Sequence, residues 1–80
     1  MIDIYKAASI VKNKKLKPIK GITMEKYYVI YAIPEKAKVE DEIDDFMFAV
    51  DKKSGEVYEY SPLNEMEKFH AACKKAVDLQ

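Results

Sequence analysis

Residues 27 to 33 read Tyr-Tyr-Val-Ile-Tyr-Ala-Ile, a run of aromatic and β-branched side chains closed by Pro34. Such a run favours a pleated strand, and the proline ends it by removing a backbone donor. Alternation puts Tyr27, Val29, Tyr31 and Ile33 on one side and Tyr28, Ile30 and Ala32 on the other. Both sides are apolar, so the strand belongs in the middle of a sheet with cover on each face. Two short terminal helices suffice for one face only, and this mismatch is the most informative feature of the chain.

Working outward, residues 46 to 60 read FMFAVDKKSGEVYEY. Phe46, Phe48 and Val50 alternate with Met47, Ala49 and Asp51, the period of a half-buried strand. Asp51-Lys52-Lys53-Ser54-Gly55 then collects turn residues, with Gly55 free to adopt positive φ. A type I turn closed by a glycine bulge is expected, returning through Val57, Tyr58 and Tyr60 until Ser61-Pro62 ends the strand.

Before the central strand, Asp3 is the expected N-cap of a helix running to about Lys14. Ile4, Ala7, Ala8 and Val11 form its narrow apolar face, and small residues there suit close packing on a sheet. Pro18 and Gly21 punctuate a basic connector, and residues 19 to 24 are a short strand or the bent first half of a longer one. The acidic stretch 35 to 45 reads as a surface loop in which Val39 and Ile43 could anchor one helical turn. A second helix is expected from Ser61 or Asn64 to near the C-terminus, with Met66, Phe69, Cys73, Ala76 and Val77 inward.

The order is helix, four strand segments, helix. The fold class expected is α+β: one domain over residues 1–80, an antiparallel sheet of three to four strands, and both helices on one face. A chain of this length buries only somewhat over ~60% of its unfolded surface, so its stability margin is thin.

Composition bounds the function. All 14 basic residues are lysine, and they balance 14 acidic residues. Without arginine the chain lacks the side chain best suited to bidentate base and phosphate recognition. Its Lys- and Ile-rich make-up fits an AT-rich bacterial or phage genome. Charge is unevenly placed: residues 1 to 26 carry a net +5 and residues 34 to 45 a net −4. The lone Cys73 and an N-terminus without an unbroken apolar run suggest a reducing, cytoplasmic setting, neither secreted nor membrane-spanning.

Chemistry-bearing motifs are few. Glu67 and His70 are spaced as in carboxylate-bridged metal sites, but the chain has one His. Cys73 stands three residues from His70, yet shares the stripe of Met66 and Phe69, where a free thiol packs as a small hydrophobe. Gly21 and Gly55 are the only glycines, so no phosphate loop exists, and no cofactor is expected. The tyrosines are the better lead. If Phe46, Phe48, Val50 and Val57 face the helices together with Tyr28, Ile30 and Ala32, the opposite face is open. It carries Tyr27, Val29, Tyr31, Met47, Ala49, Tyr58 and Tyr60. An exposed patch of tyrosine, methionine and valine suits a protein contact.

The segment Val50-Asp51-Lys52-Lys53-Ser54-Gly55-Glu56-Val57, with a leading helix and antiparallel strands, resembles small bacterial modules of the PepSY type and the immunity protein 35 type. Pro62-Leu63 and the acidic helix start that follows are similar to the immunity type. That resemblance implies binding and inhibition of another protein. The expected function is therefore a non-enzymatic protein-interaction module, with Tyr27, Val29, Tyr31, Met47, Tyr58 and Tyr60 contacting a partner or a second copy of the chain. The alternative is single-stranded nucleic-acid binding, with sheet aromatics stacking on bases and Lys12, Lys14, Lys15, Lys17 and Lys20 following the backbone.

Overall fold

The computed structural model describes residues 1–35, 46–61, 63 and 65–79, with backbone only at Phe46. Helix α1 (Ile4–Lys12) is followed by strands β1 (Leu16–Thr23), β2 (Tyr27–Pro34), β3 (Phe46–Asp51) and β4 (Val57–Glu59). Helix α2 (Met66–Cys73) and a short strand β5 (Val77–Asp78) complete the chain. The five strands form one sheet in the order β4-β3-β2-β1-β5, every neighbouring pair antiparallel. The α+β class holds. Among the described residues there are five strands where three or four were expected, because the chain after α2 turns back to pair with β1.

Strand β2 is central, as its two-sided apolar pattern requires. On one face Ile30, Ala32 and Val50 pack with Ala7 and Val11 of α1, joined by Tyr28, Phe48 and Val57. On the other, Ile22, Met24 and Val29 pack with Tyr27, Met47, Tyr60 and with Phe69, Ala72 and Ala76 of α2 and the turn after it. The helices therefore lie on opposite faces, correcting the expectation of a shared face. The cause is topological. Strands β4 and β5 run the same way at opposite edges of the sheet, so the chain must cross a face between them. Helix α2 makes that crossing on the side that α1 leaves open.

Local chemistry sets the element boundaries. Asp3 caps α1 by accepting the Lys6 N–H at 2.7 Å, as expected; the helix ends at Lys12, and Lys15, in the turn that leads into β1, adopts φ 63°. The expected basic connector is instead the first half of β1. Its register against β2 shifts between Pro18 and Lys20, a bulge at Ile19 that keeps Leu16, Pro18 and Gly21 on the α1 face. Gly21 is buried there, and a Cβ at this position would stand 2.6 Å from Ile4 Cδ1, so glycine admits the close approach of α1.

The β3–β4 hairpin closes as its residues predict. The Asp51 carboxylate accepts the Lys53 and Ser54 N–H groups at 2.8 and 2.9 Å, Gly55 takes φ 75°, and the Asp51 N–H donates to Glu56 O at 2.9 Å. The Lys52 backbone ties this turn to Ile2 and Lys26, and its ammonium lies 5.1 Å over the Tyr28 ring. The acidic stretch 36–45, including the Val39–Ile43 turn, lies outside the described residues, as do Pro62 and Asn64. Helix α2 begins at Met66 with Glu65 in the N-cap position and stops at Cys73, short of the C-terminal extent expected.

Candidate functional site

Cross-strand register places all six residues expected on the contact face on the same side of the sheet. Val29 opposes Ala49, which opposes Tyr58; Tyr31 opposes Met47, whose carbonyl accepts the Tyr60 N–H at 3.0 Å. Tyr27 joins them by strand alternation, its ring centroid 5.5 Å from that of Tyr60 and 6.4 Å from that of Tyr58. Fully buried Ala49 lies on β3, between Tyr27 on one side and Tyr58 and Tyr60 on the other; its small side chain gives their rings room to meet across it.

The face is not open, however. Helix α2 packs on it, and the six residues divide accordingly. Val29 has no exposed surface and can contact nothing outside the chain, which corrects its place in the expected contact set. Tyr27, Tyr31, Met47 and Tyr60 are partly buried. Tyr58 stands 47% exposed.

Glu65 is the residue that sequence reasoning missed. It sits at the N-terminus of α2, but its side chain caps no helix N–H. Instead its Oε2 accepts the hydroxyl of Tyr27 and, at 2.8 Å, that of Tyr60. These two bonds, Tyr27 first, hold the Glu65 carboxyl below the usual carboxylate range, with Lys68 helping. Burial and then the bond to the Glu65 carboxylate push both phenols upward, so they remain protonated donors. The Tyr60 ring leans on Phe69 at 5.8 Å, and Phe69 meets His70 edge-on at 6.3 Å. The result is a fixed aromatic cluster clamped between sheet and helix, with Tyr58 at its exposed end. A signal existed in the sequence: the interval between Tyr60 and Glu65 is short enough for the chain to fold back.

The inward face of α2 differs from the expected stripe. Phe69 and, in the turn after the helix, Ala76 pack inward as expected, but Ala72 joins them in place of Met66 and Cys73, which are exposed. The reading of Cys73 as a core residue is thereby overturned. His70 and Glu67 are also exposed, and among the described residues no three His, Cys, Asp or Glu side chains converge. Among them, too, no helix is long and apolar enough to cross a membrane.

Compared with known proteins, the chain matches no family model, no curated protein and no solved structure.

Proposed function

We propose that this chain is a non-enzymatic, cytoplasmic protein-interaction module that presents the tyrosine-bearing edge of its sheet to another protein. One observation carries the proposal: Tyr58 stands exposed on a cluster whose other rings are held by Glu65 and Phe69. A prearranged aromatic loses little freedom on binding, so more of its contact area becomes affinity. Partly buried Met47 and Tyr31 extend the surface along one cross-strand row. The hairpin signature shared with PepSY-type and immunity protein 35-type modules supports a binding or inhibitory role over catalysis.

Single-stranded nucleic acid is the competing ligand class, favoured by Lys20 opposite Tyr31 at the end of that row. The Glu65 carboxylate among the rings opposes it, because an anion there repels phosphate. Affinity capture from host lysate with wild type and a folded Tyr58→Glu variant tests the proposal. A partner kept by wild type and lost by the variant supports it. Salt-sensitive binding of an oligonucleotide, with no protein captured, would replace it.

A further inference from the structure

We infer that residues 65–79 form a strap that releases from the sheet as one unit while α1 and strands β1–β4 stay folded. Every buried residue among those described lies between Ala7 and Val50. From Glu65 to Leu79 no side chain is more than partly buried, although this segment packs over buried Ile22 and Met24. The core between α1 and the sheet, with Val11, Ile30 and Val50 fully buried, is built without α2, and only Leu79 reaches it from the strap.

Three anchors hold the strap. Glu65 accepts the hydroxyls of Tyr27 and Tyr60; Phe69, Ala72 and Ala76 rest on the sheet; Val77 and Asp78 pair with Gly21 and Lys20. Past β5, the Leu79 N–H donates to Ile19 O at 2.9 Å and the Leu79 side chain packs on the α1 face, so the segment wraps around the β1 edge. No anchor stands by itself. An eight-residue helix without a side-chain cap does not persist alone in water, and neither do two strand pairs. Each anchor therefore depends on the others, and losing one releases all three. Release uncovers Ile22 and Met24 and takes the acceptor away from Tyr27 and Tyr60. The tyrosine contact proposed above needs the closed strap, because Glu65 sets two of its rings. That consequence rests on the contact reading, whereas the opening itself does not.

Hydrogen exchange of the intact chain across ~0–2 M urea tests the opening. The Phe69 N–H, which donates to Glu65 O at 2.8 Å, and the Leu79 N–H report its two ends. Both should show one opening equilibrium, populated about tenfold or more above that of the fully buried Ile30 and Val50. Glu65→Ala should speed exchange at Phe69 and at Leu79 by the same factor and leave Ile30 and Val50 unchanged. Acceleration at Phe69 alone overturns the inference, since the anchors then act separately. So does exchange of both amides only together with Ile30 and Val50, which marks a single cooperative fold. Should Glu65→Ala fail to fold, the wild-type urea curves decide. Phe69 and Leu79 merging with each other below Ile30 and Val50 supports the strap; two separate curves, or one merged with the core, contradict it. None of these readouts involves a partner, so they stand or fall apart from the contact through Tyr58.

Discussion

Tyr27 on β2 and Tyr60, the residue after β4, donate their hydroxyls to the same carboxylate oxygen of Glu65. No residue of α2 itself is buried, so this pair of charge-assisted bonds is a principal tie between helix and sheet, alongside the packing of Phe69 and Ala72. Replacing Glu65 with Ala should loosen α2 selectively. Hydrogen exchange should accelerate in residues 66–73 while β2 and β3 keep their protection, and Glu67→Ala should leave α2 as it was.

The same pair gives stability a pH dependence with a definite sign. Because the Glu65 carboxyl is depressed in the folded state, its contribution is present above the ordinary carboxylate range and is lost as pH falls through the depressed value. Tyr27 and Tyr60 are raised, so their contribution is full below the ordinary tyrosine value of about 10 and is lost as pH rises beyond it. Denaturant midpoints across pH should show both limbs. Glu65→Gln should flatten the acid limb, and Tyr27→Phe with Tyr60→Phe should flatten the alkaline one.

Two backbone positions are expected to respond in opposite directions. Gly55 at φ 75° tolerates no Cβ without strain, and Gly55→Ala should destabilise by about 1–2 kcal/mol. Lys15 at φ 63° already bears that cost, so Lys15→Gly should stabilise by about 0.5–1 kcal/mol. Urea denaturation of the two variants checks both signs.

Close packing of α1 on β1 makes Gly21 and Ile4 an interacting pair. Gly21→Ala places a methyl against the Ile4 side chain and should destabilise by about 1–3 kcal/mol. Shortening Ile4 to Val in the same chain should recover part of that loss, and a double-mutant cycle measures how much.

Cys73 is exposed, so a thiol reagent should label it in the folded protein at the rate of the unfolded chain, and Cys73→Ala should change stability by less than about 0.5 kcal/mol. Protection of the thiol until unfolding would return it to the core.

Much of the fold was legible because its signals are local. Asp3, the two-sided strand and the Asp51–Gly55 turn each carry their own chemistry. Strand β5 was hidden because Ala76 and Val77 continue a helical stripe and two residues carry no alternation to oppose it. The bulge at Ile19 interrupted the period of β1 and made its first half resemble a connector. The inward face of α2 was ambiguous because Phe69 and Ala76 can be joined at helical spacing by Met66 and Cys73 or by Ala72. Tertiary packing chose Ala72, whose small side chain lets the helix lie close to the tyrosines. The tyrosine face itself was read with the right alternation, yet its cover depended on a crossover that no local pattern encodes.

The most direct test of the proposed contact compares two exposed tyrosines on different parts of the molecule. Tyr58 is 47% exposed on the α2 face, and Tyr5 is 65% exposed on α1. In capture from host lysate, Tyr58→Ala should lose a partner that wild type and Tyr5→Ala both retain, with affinity reduced about tenfold or more. Retention of that partner by Tyr58→Ala, or its loss on Tyr5→Ala alone, would contradict a contact through the tyrosine-bearing face.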